Sequence, residues 1–241
     1  MTDAHCHVVR GETRHFLCEP RAGAPGADDV IFYGAHPWHL EDFDAAALRA
    51  RLAANPAAGV GEIGLDRLKD RDISPRMRAV FAAQLALAAE LRRPVVLHGA
   101  KCWGEVVKTV RQLDPARRIP AFLFHGFSRS GGLLPDIADL NGYISVGPAV
   151  LNDHAVNYRE LAKAIPEARL LVESDATAAN AAEVPSVREV AAKLAELRGL
   201  SADALAGILA RNAEAFLGRT WGPRDAAWLK SGKEAGQCRE S

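Results

Sequence analysis

Residues 94–98 read Pro-Val-Val-Leu-His, and residues 121–125 read Ala-Phe-Leu-Phe-His. Each is a short apolar run that ends in histidine. Residues 170–175, Leu-Leu-Val-Glu-Ser-Asp, and residues 58–66, Ala-Gly-Val-Gly-Glu-Ile-Gly-Leu-Asp, follow the same plan with carboxylates at the end. Runs rich in Val, Ile, Leu and Phe without clean alternation suit parallel strands covered on both faces. Further runs of this kind are Ala4–Val9, Val30–Ala35 and Gly142–Val146. Helical periodicity separates them. Ser74 caps and Pro75 starts one helix, whose stripe is Met77, Phe81, Leu85, Ala88 and Leu91. Others cover Trp103–Leu113, Ser186–Leu197 and Ala202–Leu217, the last stopped by Gly218. Strands alternating with helices imply a parallel sheet. No glycine-rich phosphate loop follows the first strand, whereas polar groups end many strands. That is the signature of a (β/α)8 barrel with its site at the C-terminal rim. Residues 10–29, rich in Pro and Gly, are too short for a full βα unit, so the first βα units are expected to be irregular or shortened. At most a brief strand is expected there, at His15–Cys18. A single barrel over 1–218 with a C-terminal extension over 219–241 is the expected organisation.

Composition agrees. The 241 residues carry 30 Lys+Arg and 30 Asp+Glu and are 49% hydrophobic, which excludes a disordered polyelectrolyte and a tight nucleic-acid coat. No apolar run reaches the roughly 18 residues of a membrane span, and the N-terminus has no secretory pattern. Cys6, Cys18, Cys102 and Cys238 lack paired spacing, as expected of a cytoplasmic protein. A monomer or small homo-oligomer is expected.

The chemistry starts at Asp3-Ala4-His5-Cys6-His7. Strand alternation sends His5 and His7 to one face and Cys6 to the other. Glu62, His98, His125 and Asp175 end later strands, separated by 36, 27 and 50 residues, close to multiples of a barrel repeat of about 30. Parallel strands bring all six to one mouth. Imidazoles and carboxylates in that number can hold two divalent ions, with zinc, manganese or magnesium equally compatible, and leave room for water.

The motifs DAHCH, GAHPWH (34–39), GEIGLD (61–66), VVLH (95–98), FHGFS (124–128), VESDA (172–176) and RNAEAFLG (211–218) together resemble the TatD-type metal-dependent deoxyribonucleases. The resemblance implies that His5 and His7 bind a first metal, Glu62 bridges, and His98 and His125 complete a second. Asp175 would ligate the first metal and take the proton of the attacking water, and His36 would touch a substrate phosphate. The expected activity is cleavage of phosphodiester bonds in DNA, weakly bound. The alternatives are hydrolysis of a carboxyl ester or amide, an aminoacyl-tRNA ester included, and, less favoured, a non-catalytic metal-binding barrel. Ala100 stands where such proteins usually carry Arg, Thr177 where they carry Pro, and Arg67 where an aromatic often follows. Arg67, Lys101 and Arg129 are the candidate phosphate contacts, Lys69 lies nearby, and Trp38 could stack on a base. His15, His39 and His154 read as ordinary loop residues.

Overall fold

The computed structural model describes residues 1–218 apart from 12, 23, 42, 129 and 130. Eight strands run in the order in which the chain lays them down: β1 (Thr2–Val8), β2 (Arg14–Ala22), β3 (Val30–Tyr33), β4 (Gly59–Asp66), β5 (Val95–Ala100), β6 (Phe122–Phe124), β7 (Gly142–Val146) and β8 (Leu170–Val172). Every neighbouring pair is parallel. Beyond β8, the Asp175 N–H donates to the His5 carbonyl (3.0 Å) and the His7 N–H donates to the Ala176 carbonyl (2.8 Å), which brings the last strand's continuation back to β1. This is the (β/α)8 barrel expected.

The helices are α1 (Ala45–Ala54), α2 (Pro75–Leu91), α3 (Trp103–Leu113), α4 (Leu134–Asp139), α5 (Val156–Ala164), α6 (Val187–Arg198) and α7 (Ala202–Phe216). The Ser74 hydroxyl accepts from the Met77 N–H at the start of α2, and Ser186 and Glu189 form a reciprocal capping box at α6. Residues 10–29 correct the expectation of a brief strand. They hold the nine-residue β2, paired to β1 on one side and β3 on the other. What is shortened is the helical layer, since no helix joins β1 to β2 or β2 to β3 among the described residues. The irregularity expected there is in the β1–β2 register, which shifts between Asp3 and Cys6 and again before Val8. The proposed extension 219–241 lies outside the described residues.

Alternation divides each strand. Outward residues such as Leu97, Phe124 and Val172 meet the helices in one large apolar layer. Inward residues Phe16, Phe32, Val96, Leu123 and Leu171 form a second cluster, sealed from below by Phe216 of α7, whose ring lies 5.6–5.9 Å from those of Phe16 and Phe32. Moving two residues along the same face, Val96 leads to His98, Leu123 to His125 and Leu171 to Glu173. The polar site therefore stands on an apolar floor.

Candidate metal centre

Glu62 is the centre of the rim. Its Oε1 lies 2.6 Å from His98 Nδ1, 2.6 Å from His125 Nε2 and 3.6 Å from His36 Nε2. Its Oε2 lies 3.4 Å from His5 Nε2 and 3.5 Å from His7 Nε2. Asp175 Oδ1 is 3.4 Å from the same nitrogen of His5. All six sequence-predicted ligands are thus gathered, from the ends of β1, β4, β5 and β6 and the segment after β8. Three triads bring donor atoms within 4.8 Å of one another: His5-His125-Asp175, His5-His7-Glu62 and His36-Glu62-His98.

The donor set fits divalent cations. His5 is fully buried, yet neither ring nitrogen has a hydrogen-bond partner, and His125 Nδ1 is likewise unpartnered. An unsatisfied buried polar atom costs on the order of 1–3 kcal/mol, so His5 Nε2, which stands 3.4 Å from both Glu62 and Asp175 without a hydrogen bond, calls for a ligand. Burial alone would raise the Glu62 carboxyl, but His125 and His5 outweigh it and hold the group well below the usual carboxylate range. The reverse holds for the rings. Burial lowers His125, and Glu62 overrides it and pushes the ring up to about 10. His5 and His98 are raised against burial as well, His5 by Cys18 and Glu62 and His98 by Asp66 and Glu62. His36 is the exception, lowered because burial prevails over Glu62.

Two carboxylates behind the rings escape a reading of spacing alone. Asp66 Oδ2 lies 2.9 Å from His98 Nε2 and accepts from the Trp38 indole N–H (2.6 Å), while its Oδ1 accepts from the backbone N–H of Leu68 (2.6 Å) and of Lys69 (2.9 Å). Trp38 is therefore tied to the ligand scaffold, although half of it remains exposed. Glu173 stands 3.6 Å from His125 Nδ1 and accepts from the Gly126 N–H (2.8 Å) and the Ser145 hydroxyl (2.5 Å). His7 Nδ1 lies 2.7 Å from the Cys18 carbonyl, which can only accept, so this nitrogen carries the proton and Nε2 faces Glu62. Partners of this kind orient metal-binding imidazoles. Replacing Asp66 by Ala is expected to lower metal affinity by roughly 10–100-fold. Titration of activity against Mn²⁺ concentration reads this, and an unchanged half-saturation point would remove Asp66 from the site.

The remaining predicted residues fall differently. His36 stands beside the cluster, 3.4 Å from His98 Nδ1, and lines the cavity that opens there, where a substrate could reach it. Arg67 pairs with Glu105 at 3.1 Å, and Lys101 is exposed in the turn before α3. A cavity of about 790 Å³ opens on the histidines, and neither Arg67 nor Lys101 lines it. Arg129 lies outside the described residues. His39 lines the cavity instead of being a bystander. His15 is buried in β2, with its ring 3.0 Å from both Asp29 and Thr13, and His154 is exposed.

The family description "TatD related DNase" matches residues 24–218. The chain belongs to the TatD-related DNase family. It is 28% identical over 197 residues to the metal-dependent hydrolase YabD of Bacillus subtilis, an alignment covering 76% of each chain. It is 35% identical over 148 residues to the 3'-5' ssDNA/RNA exonuclease TatD of Klebsiella pneumoniae, covering 59% of this chain and 55% of that protein. The crystal structure of YjjV, a TatD homologue from Escherichia coli, superposes with a TM-score of 0.73 at 24% identity, over 89% of this chain and 96% of that one, and shares the barrel. As a TatD-type protein the chain is a metal-dependent hydrolase of ester bonds. No helix among the described residues is long and apolar enough to cross a membrane.

Proposed function

We propose that this TatD-type protein hydrolyses phosphodiester bonds in DNA, with two divalent cations held by His5, His7, Glu62 and Asp175 on one side and by Glu62, His98 and His125 on the other. The observation that carries this reading is the division of the Glu62 carboxylate, one oxygen facing His5 and His7 and the other His98 and His125. Set between the two groups of imidazoles, Glu62 would serve both centres, and a pair of cations held there would suit in-line displacement at phosphorus. Bound there, such ions lower the pKa of water and offset charge on phosphoryl oxygens. Asp175 orients the attacking water and accepts its proton. Burial acts to raise this carboxyl, yet contact with His5 and the charge of His125 keep it below the ordinary value, so it is ionised at neutral pH, the form a proton acceptor needs. Its side chain is 54% exposed, which leaves it in reach of solvent in the cavity. His36 faces the same space and contacts a substrate phosphate. Similarity to the Klebsiella 3'-5' ssDNA/RNA exonuclease supports a nucleic-acid substrate.

A carboxyl ester or amide is the second reading, favoured by Ala100, which offers no guanidinium fork two residues beyond His98. Bis(p-nitrophenyl) phosphate and p-nitrophenyl acetate, each assayed with Mn²⁺, separate the two. Turnover of the phosphodiester is the expected result, and turnover of the carboxyl ester alone would overturn the proposal.

Metal binding should also release protons. His5, His98 and His125 have pKa values raised by neighbouring groups, so in the metal-free protein they hold protons that a cation must displace. Affinity is therefore expected to keep rising with pH above the ordinary imidazole value of 6.5, toward about 10, where the His125 ring gives up its proton. Calorimetry in buffers of different ionisation enthalpy should find two equivalents of Mn²⁺ and net proton release. A single equivalent would remove the paired arrangement.

A further inference from the structure

Away from the histidines the cavity runs into a lobe between the end of β2, the segment after β3 and one face of α1. Asp44, Ala47, Leu48 and Arg51 line it at positions i, i+3, i+4 and i+7 of one helical stripe, with Phe43 beside them and Glu19 among the other wall residues. Among the described residues no helix follows β1 or β2, which leaves α1 as the first helix of the barrel wall there.

The charges of this lobe are the reverse of a phosphate groove. Arg51 is the sole Lys or Arg among the described lining residues. Both of its terminal nitrogens bond Glu19 (2.9 and 2.8 Å), and its guanidinium lies over the Tyr33 ring at 4.1 Å. Glu19 also accepts from the Gly34 N–H at 2.8 Å, so the pair is fixed in place. Glu41 and Asp44 then add two carboxylates with no cationic partner among the described residues. Asp44 caps α1 by accepting from Ala46 and Ala47, so the helix end, where a phosphate would gain from the dipole, already holds an anion.

We propose that this lobe takes the uncharged part of the substrate, a group of nucleoside size joined to the scissile ester, and that Glu41 and Asp44 exclude a second phosphate from it. The proposal rests on the hydrolase reading of the adjoining centre and narrows it to an ester with one reacting anionic group and a neutral remainder on the α1 side. A cavity of about 790 Å³ matches the size of small-molecule sites, so its walls enclose room for one such unit beside the reacting group. Phe43, Leu48 and Trp38 supply apolar and aromatic wall for it.

Equilibrium binding tests this without turnover. Thymidine 5'-monophosphate and thymidine 3',5'-bisphosphate are titrated calorimetrically into the full-length, Mn²⁺-loaded protein. The monophosphate is expected to bind about tenfold more tightly, although the bisphosphate carries more charge toward the metals. Glu41→Gln combined with Asp44→Asn, which keeps the helix cap, is expected to bring the two within about threefold of each other. Equal or tighter binding of the bisphosphate to the unmodified protein overturns the proposal, as does a gap that survives the double substitution, or no binding of either nucleotide. Hydrolysis of bis(p-nitrophenyl) phosphate by the same preparation reports separately on the centre, so a failed lobe and a failed hydrolase give different results.

Discussion

Replacing Asp175 by Asn should lower kcat for a phosphodiester by about 10²–10⁴ while leaving the circular dichroism spectrum and the melting temperature nearly unchanged. The backbone of this position does structural work, since its N–H donates to the His5 carbonyl at 3.0 Å and helps bring the sheet back to β1. It also sits at φ 54°, in the left-handed region. Asn tolerates that region better than other side chains of its size, so the turn should survive. The amide keeps one carbonyl oxygen near His5 but has no charge and cannot take a proton from water at neutral pH. Metal affinity should fall less than kcat, because His5, His7 and Glu62 remain. A kcat within threefold of the unmodified enzyme would take Asp175 out of the chemistry, and a collapsed spectrum would mean that its role is structural.

The same residue shows why the centre is legible in the sequence. Ligands at the ends of parallel strands are read from apolar runs ending in His, Glu or Asp, and strand alternation does the rest, as Val96-to-His98 and Leu123-to-His125 illustrate. Elements whose stability comes from elsewhere were not legible. The β2 stretch contains Arg14, Glu19, Pro20 and Arg21, a breaker among charges, and gains strand form from pairing on both sides. Helix α1 is mostly Ala and Arg, with only Leu48 and Leu52 buried, so its periodicity is faint. At the site, spacing brought out the six side chains that cluster but not the contacts of Asp66, which depend on which way the His98 ring turns and on an indole from a different loop. Nor could it foresee that Glu105 would pair with Arg67, which sequence proximity had offered to a phosphate.

Replacing Gly64 by Ala should destabilise the protein by about 3 kcal/mol or more, the upper range for overpacking a core. A Cβ at Gly64 would stand 1.9 Å from the His98 carbonyl oxygen and 2.8 Å from its carbon, and φ there is 157°. Gly64 and His98 are direct partners across the β4–β5 pair, so the clash is with backbone and no rotamer change relieves it. The two strands must part at the position that carries His98, between Glu62 and Asp66. Stability and metal affinity should therefore fall together, with a melting temperature lower by roughly 6–12 °C for a domain of this size. Gly104→Ala is the control, because a Cβ there has open space within 4 Å and the position lies in α3, where Ala is the better helix former. It should melt at or slightly above the unmodified protein. If Gly64→Ala melts with the control and binds Mn²⁺ normally, the close approach of β4 to β5 does not set the position of the His98 ring, and the GEIGLD glycine needs another explanation.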